Sequence, residues 1–195
     1  MKLQLAWMLV LLASCSQGPA PETAQKPQQA GQAMNPAQTA ARIAIIRAAA
    51  VTGNQKLAKD QMDGLNNDYR KAVKLSDPTH AVDRESARQA AKKIPGVRSV
   101  VWLDHENLFA IVDKNELRTY ETIDAICLQL EPLGDTLGVV VNLQSGAARN
   151  GDELEILNRN CQLAPGERAL LQKNRKVDVI DPEIRKLHKA NNPAN

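Results

Sequence analysis

The spacing of apolar residues changes along the chain, and these changes divide it into segments. Residues 3–12 form an almost wholly apolar run, whereas residues 16–36 carry hardly any large apolar side chain. Over residues 37–76 apolar residues recur at steps of three and four, with a break at Thr52-Gly53. This pattern predicts two helices joined as an α-hairpin. The stripe on the second helix is expected to pack in the core, although it also suits a partner-binding face. It consists of Ala58, Met62, Leu65, Tyr69 and Ala72.

The middle of the chain combines helical with strand-like patterns. Asp83 is a suitable N-cap for a helix that ends at Pro95-Gly96, and a β-hairpin is predicted over residues 97–112. Another helix is predicted over residues 119–131, and a third strand over residues 139–143.

The C-terminal part gives shorter patterns. Asp152 is predicted to cap a short helix that carries Leu154, Leu157 and Cys161, and another short helix is predicted after Pro165-Gly166. Residues 176–180 suit a strand, and Asp181-Pro182 starts a basic terminal helix.

Together these elements predict an α+β fold. An N-terminal α-hairpin precedes a small, mostly antiparallel sheet that helices cover on one face. A chain of 195 residues suits one such domain, over residues 37–190. Its parts are the α-hairpin over 37–76, the sheet and helices over 83–180, and the basic helix over 181–190. Residues 191–195 are predicted to be a disordered end.

The N-terminus has the layout of a secretory signal peptide. Lys2 precedes the apolar run, and small residues follow it up to Cys15. The run has about 10 residues, whereas a helix that spans a membrane needs about 20. A cytosolic helix would alternate polar and apolar faces, which this run does not. We therefore predict a signal peptide over residues 1–14.

The residues Leu12-Ala13-Ser14-Cys15 resemble the lipobox of bacterial lipoproteins. The resemblance implies cleavage before Cys15, a diacylglyceryl group on its sulfur and acylation of the new amino terminus. It also implies that lipid anchors the protein to a membrane, which the chain does not span. Lipoproteins retained in the inner membrane often carry Asp where Ser16 stands, so the resemblance favours the periplasmic face of the outer membrane. The single Lys2 departs from the family, which often has two or more basic residues there.

Residues 15–36 are predicted to be a lipidated cysteine and a flexible tether. The segment is rich in Pro, Gln and Ala, so it cannot bury enough apolar surface to offset the entropy of ordering. Its expected role is to hold the domain away from the lipid.

The segment IPGVRSVVWLDHENLFAIVD, residues 94–113, resembles the helix–turn–hairpin of small envelope domains such as the BON and sporulation-lipoprotein groups. It is also similar to heavy-metal-associated domains. The resemblance is one of spacing, and it implies topology alone. Heavy-metal-associated domains bind copper through Cys-x-x-Cys, a pair that this sequence lacks. We therefore expect neither a metal nor another cofactor.

Two cysteines remain when Cys15 is assigned to lipid. An exported domain folds in an oxidising compartment, so a disulfide between Cys127 and Cys161 is expected. Both cysteines are predicted to lie on apolar faces of helices, which equally suits two buried thiols. A redox-active pair is disfavoured, because it needs close spacing to lower a thiol pKa.

Charge and motifs restrict the function. The formal net charge of +3 is too low for the concentrated basic face that nucleic acid requires. The sequence has no zinc-ligand spacing, phosphate loop, G-x-S-x-G or G-x-G-x-x-G motif. Asp104-His105-Glu106 is best explained as a polar turn, because neighbours on a hairpin point in different directions; acid–base catalysis or metal binding is the alternative. We expect no enzymatic activity and no small-molecule substrate.

Two features are candidates for binding. The C-terminal segment is basic, which suits anionic lipid headgroups or cell-wall carboxylates, or else it is solvated charge. Its candidate residues are Arg175, Lys176, Arg185 and Lys186. Trp102, on the predicted hairpin, is either a core residue or an aromatic platform for a ligand.

The sequence therefore predicts a periplasm-facing lipoprotein that acts by binding protein, as an assembly or structural component of an envelope complex. The alternative is an immunity or inhibitor lipoprotein that neutralises a secreted effector of the cell wall. A cell-wall hydrolase is a weaker alternative, since the spacing shows no convergent acidic residues.

Overall fold

The computed structural model describes residues 26–173 and 181–191. The predicted signal peptide, Cys15, Arg175, Lys176 and the strand predicted over residues 176–180 lie outside the described residues. Within the described part of the chain, no helix has the length and apolar character that crossing a membrane requires.

Two helices begin the described chain. Helix α1 spans Pro36–Val51 and helix α2 spans Gln55–Ala72, and the two helices are in contact. Asn35 caps α1, because its Oδ1 accepts hydrogen bonds from the N–H groups of Ala37 and Gln38.

The apolar stripe predicted on the second helix is only partly buried, with Ala58, Leu65 and Ala72 half-buried and Met62 and Tyr69 exposed. Met62 and Tyr69 are 57% and 56% exposed, and no described residue of α2 is fully buried. Helix α2 packs chiefly against α1, which leaves these two side chains facing solvent. The expectation that the stripe packs in the core is therefore wrong for Met62 and Tyr69.

A four-stranded sheet forms the centre of the fold. Its strands, in order across the sheet, are β1 (Val97–Trp102), β2 (Asn107–Val112), β3 (Val140–Ser145) and β4 (Leu157–Asn160). The pairs β1–β2 and β3–β4 are antiparallel, whereas β2 and β3 are parallel. The parallel pair is possible because a helix, α4 (Tyr120–Leu130), lies in the connection between β2 and β3. The α+β fold is confirmed, with a mixed sheet in which two of the three pairings are antiparallel.

Helices cover one face of this sheet. On that face Val100, Ala110 and Leu143 occupy facing positions on neighbouring strands, and all three are buried. Helix α3 (Arg84–Lys92) and α4 supply the rest of the apolar core. On the opposite face Val101 remains exposed.

The chain beyond β3 differs from the prediction. Residues 151–154 form turns instead of a helix capped by Asp152, and β4 follows them. Leu157, expected on that helix, pairs with Leu143 in the β3–β4 ladder. Residues 161–173 also form turns, where a second short helix is predicted after Pro165-Gly166. Helical spacing over so few residues is a weak preference, which the ladder with β3 overrides.

Cys127 and Cys161 are joined by a disulfide. Cys127 lies on α4 as predicted, but Cys161 follows β4 and is not on a helix. Their Cα atoms are 5.3 Å apart, within the usual range for a disulfide. The bond therefore connects the helical layer to the end of an edge strand.

Part of the predicted tether belongs to the folded domain. Ala30 N–H donates to the carbonyl of Gln162, and Gly31 N–H donates to the carbonyl of Lys71, both over 2.8 Å. Pro27 is buried. Residues 27–31 are therefore held against the domain, contrary to the flexibility predicted for residues 15–36, because backbone hydrogen bonds compensate for the lack of apolar side chains.

Candidate functional site

A cleft of about 360 Å³ lies beside Trp102, at the end of β1. We call it the Trp102 cleft. Its apolar lining consists of Leu75, Pro78, Ala81, Val82, Trp102, Val139, Leu170 and Leu171. Its volume lies at the lower end of the roughly 300–1,000 Å³ that is typical of ligand pockets. The cleft is therefore large enough for a small group or a single side chain.

The orientation of Trp102 is fixed by its neighbours. It pairs with Leu108 at the end of the β1–β2 ladder, and part of its ring packs against the core. Its indole Nε1–H donates a hydrogen bond to the carbonyl of Arg84 over 2.8 Å. The structure thus combines the two alternatives for Trp102, because the same ring contacts the core and lines the cleft. Its role in binding stays a prediction.

The rim of the cleft carries two exposed leucines. Leu170 is 51% exposed and Leu171 is 84% exposed. Leu171 has a φ of 68°, in the left-handed region that costs a residue with a Cβ about 1–2 kcal/mol. An apolar side chain is thus held in water at a backbone position that is itself unfavourable.

Hydrogen bonds hold the backbone of this rim. Leu170 N–H donates to the carbonyl of Lys74 over 2.6 Å. Gln172 Oε1 accepts hydrogen bonds from Ala169 N–H and from the buried amide of Asn160, both over 3.2 Å. The rim is therefore positioned by the domain, although its leucine side chains have little to pack against.

One wall of the cleft is closed by a cluster around Asp77. Arg70 donates to Asp77 Oδ2 over 2.5 Å, and the Nδ1 of His80 lies 2.9 Å from the same oxygen. The hydroxyl of Thr79 donates to Asp77 Oδ1 over 2.6 Å. The Arg70 guanidinium holds the pKa of the Asp77 carboxyl far below its usual range. Asp77 therefore remains charged and joins the end of α2 to the cleft.

The residues Asp104-His105-Glu106 form the polar turn between β1 and β2. Asp104 Oδ1 accepts hydrogen bonds from the N–H groups of Glu106 and Asn107, each over 2.8 Å. Glu106 and His105 both line the cleft, and the Nε2 of His105 lies 3.7 Å from the Oε1 of Glu106. The three side chains do not converge on one point, which supports the interpretation of these residues as a turn.

A larger polar groove adjoins the cleft along α2. It has a volume of about 1080 Å³ and shares the stretch from Leu75 to Pro78 with the cleft. Lys59 and Asp63 of α2 line it, and Glu131 lies on the opposite side. Charges of both signs meet there, so the groove suits polar contacts around an apolar centre.

The basic candidates lie apart from the Trp102 cleft or outside the described residues. Helix α5 spans Pro182–Asn191 and carries Arg185 and Lys186. Lys186 is exposed, pairs with Glu183 over 3.0 Å, and does not line the cleft. Arg175 and Lys176 are outside the described residues. Among the residues that the structure describes, no group of three His, Cys, Asp or Glu side chains is placed to hold a metal ion.

Sequence patterns do not identify Leu170 and Leu171 as parts of a site, whereas Glu106 is singled out by sequence only within the turn Asp104-His105-Glu106. The two leucines were assigned to a short helix, where exposure on one face would be ordinary. Two adjacent leucines in a segment rich in turn residues are the signal that could have identified them, because turns seldom bury consecutive apolar side chains.

The chain matches no protein-family model, no curated protein and no solved structure.

Proposed function

We propose that this protein is a lipoprotein of the bacterial envelope that binds another protein through the Trp102 cleft. Lipid on Cys15 anchors it to the periplasmic face of the outer membrane, and it serves as an assembly or structural component of an envelope complex. The lipobox-like residues before Cys15 support the anchor. The lining and the rim of the cleft support the binding of protein.

The observation that carries the proposal is the exposure of Leu170 and Leu171 on a fixed backbone. Apolar side chains that are exposed together commonly mark interaction sites. Here they stand beside Trp102, and tryptophan is enriched among the residues that dominate binding energy at interfaces. A rim that is already in position also lowers the entropy cost of association.

Residues around the cleft fit the rest of an interface. The adjoining groove offers charged groups of both signs, including Lys59 and Asp63, which suit the polar rim of a contact whose centre is apolar. Met62 and Tyr69 are further exposed apolar residues on α2, although they line neither the cleft nor the groove.

The proposal is tested by crosslinking the protein to its neighbours in its own membranes and purifying it. Three variants accompany the native chain: Cys15→Ala, the double variant Leu170→Ser/Leu171→Ser, and Val51→Ser. Val51 is almost fully exposed at the end of α1 and does not line the cleft, so it controls for the loss of an exposed apolar side chain.

We expect the leucine double variant to lose at least tenfold in crosslinked partner, and Val51→Ser to retain it. Several envelope subunits in the product would support the assembly role, whereas one wall-attacking effector in equal amount would support the inhibitor alternative. Equal capture by the leucine variant would overturn the cleft as the binding site. Membrane association of Cys15→Ala equal to that of the native chain would overturn the lipid anchor.

A further inference from the structure

We infer that the protein partner inserts a basic side chain, lysine or arginine, into the Trp102 cleft and places its positive charge against Glu106. This inference rests on the proposed function and specifies the chemistry of the partner. Three carboxylates line the cleft, those of Asp77, Asp135 and Glu106. The inference follows from a difference between them: groups of the domain already donate hydrogen bonds to the first two, whereas the third is approached only by His105 among the described residues.

Asp77 is fully engaged within the domain. Its Oδ2 accepts a hydrogen bond from Arg70 and lies beside His80, and its Oδ1 accepts from the hydroxyl of Thr79. The charge of this carboxylate is therefore neutralised by Arg70, and its oxygens are already hydrogen-bonded.

Asp135 is engaged in the same way by donors of the domain. Its Oδ2 accepts from Asp77 N–H over 2.5 Å, and its Oδ1 accepts from Leu137 N–H over 3.0 Å. The side-chain amide of Gln162 is 3.3 Å from the same Oδ1. Asp135 therefore holds the loop before β3 and has little capacity left for a ligand.

Glu106 differs from both. Its side chain is 21% exposed, and its one ion pair among the described residues is the 3.7 Å approach of the exposed His105. The backbone of Glu106 is held at both ends, since its N–H donates to Asp104 and its carbonyl accepts from Val140 N–H over 2.8 Å. Glu106 thus stands on a fixed backbone in a largely apolar cleft, and beyond its approach to His105 its charge is available to a cation.

The chemistry of the ligand follows from this combination. Covering Glu106 with a purely apolar group would remove water from a carboxylate without replacing its hydrogen bonds, which is unfavourable. An anionic group would in addition be repelled by Glu106 and Asp135. Lysine and arginine have an apolar stem and a cationic end, so the stem can pack on Trp102 and Val139 while the charge reaches Glu106.

Trp102 adds a second reason for a cation. The face of an indole ring attracts ammonium and guanidinium groups that lie within about 6 Å of its centre. Since Trp102 and Glu106 line the same small cleft, one side chain can contact both. The site therefore favours a basic side chain over an uncharged one of the same length.

The probe is a set of capped tripeptides, acetyl-Leu-Xaa-Leu-amide, with lysine, arginine, norleucine or glutamate at the centre. The experiment uses the mature lipoprotein in detergent micelles, because the proposed cleavage before Cys15 removes Trp7 and leaves Trp102 as the single tryptophan, whose fluorescence reports the cleft. The variants are Glu106→Gln and, as a matched control, Glu116→Gln, which removes the same charge from an exposed residue outside the cleft.

We expect the lysine and arginine peptides to bind at least tenfold more tightly than the norleucine peptide, as measured by titration of the Trp102 fluorescence. The glutamate peptide should give no saturable change in this fluorescence. Glu106→Gln should remove this preference, and Glu116→Gln should keep it. Equal affinity for lysine and norleucine, or a preference that survives Glu106→Gln, would overturn the inference while leaving the cleft as a binding site. The inference would also be overturned, with the cleft kept as the binding site, if the leucine double variant lost the crosslinked partner and Glu106→Gln captured it fully.

Two outcomes concern other occupants or the cleft itself. No response of Trp102 to any of the four peptides, together with unchanged crosslinking in the leucine variant, would overturn both the inference and the proposed function. Self-association of the chain that Glu106→Gln abolishes would identify a second copy as the occupant, and would overturn a separate partner.

Discussion

Arg70, in the last turn of α2, forms an ion pair with Asp77 across 2.5 Å, and the two side chains are only 17% and 19% exposed. Asp77 also donates its N–H to Asp135, in the loop before β3. The pair therefore connects α2 to the loop that forms one side of the Trp102 cleft. A mostly buried pair of this kind is costly to break, because the remaining charge loses its partner.

The substitution Asp77→Asn is expected to lower the free energy of unfolding at pH 7 by about 2 kcal/mol, in line with hydrogen bonds to charged groups. The folded chain holds the pKa of Asp77 below its unfolded value of about 3.9, so the stabilisation is present above that value and disappears as the pH falls through and below it. Urea unfolding at pH 7 and at pH 3 measures this. The difference between native chain and variant should shrink at pH 3.

Glu85→Gln provides the control. A hydrogen bond from Arg88 holds the pKa of Glu85 at about 2, but this pair is exposed to solvent. Exposed pairs contribute little to stability, so we expect no measurable change in unfolding at either pH. If Glu85→Gln lowered the free energy of unfolding as much as Asp77→Asn does, burial of the ion pair would not explain the loss of stability in Asp77→Asn.

Reduction of the Cys127–Cys161 bond is expected to destabilise the domain by about 4 kcal/mol. The bond closes a loop with a sequence separation of 34 residues, and the chain-entropy model gives this magnitude for such a loop. Urea unfolding with and without a phosphine reductant measures it. The variant Cys127→Ala/Cys161→Ala should show no response to the reductant, whereas Cys15→Ala should respond like the native chain. An unchanged midpoint in the reduced native chain would contradict the prediction.

The substitution Leu171→Gly tests whether Leu171 contributes to binding of the partner without contributing to the stability of the fold. Glycine adopts a positive φ without the steric cost that leucine pays, and the leucine side chain is mostly exposed, so little packing is lost. We expect the free energy of unfolding to stay within about 1 kcal/mol of the native value, while crosslinking to the partner falls. Thermal unfolding and the crosslinking experiment provide the two readings. Strong destabilisation would instead identify Leu171 as a packing residue.

Gln172→Ala is expected to loosen the rim of the cleft. Gln172 accepts hydrogen bonds from Asn160 and Ala169, and its amide lies 3.4 Å from the carbonyl of Gly138. Removing it leaves the buried Asn160 amide with one acceptor fewer, at a cost of about 1–3 kcal/mol. Amide hydrogen exchange should accelerate at residues 169–171 and stay unchanged in β2. Uniform acceleration throughout the sheet would indicate global destabilisation instead.

The elements with strong local signals could be predicted from the sequence. Asp83 caps α3 as expected, with its Oδ1 accepting from Ser86 N–H over 2.9 Å. The hairpin of β1 and β2 follows from alternation and a polar turn. Such features depend on neighbours in sequence, which is why a single sequence reveals them.

The cleft could not be predicted, because its parts are distant in sequence. Leu75, Trp102 and Leu171 meet only when the loop after α2, the end of β1 and the turns after β4 are assembled. The strand β4 was missed for a related reason. Leu154, Leu157 and Cys161 have a spacing that suits a short helix, and only pairing with β3 decides against it.

The attachment of residues 27–31 sets how far the domain can travel. If lipid holds Cys15, the leash is the stretch of about 12 residues up to Pro27, whose full extension is about 40 Å. Every partner of the Trp102 cleft must then come within that radius plus the width of the domain. With such an anchor the tether would join the domain beside Gln162 and Lys71, on the side that carries the polar groove. If the anchor lies in the outer membrane, a partner in that membrane could reach this side directly, whereas a partner in the inner membrane would have to extend across the periplasm.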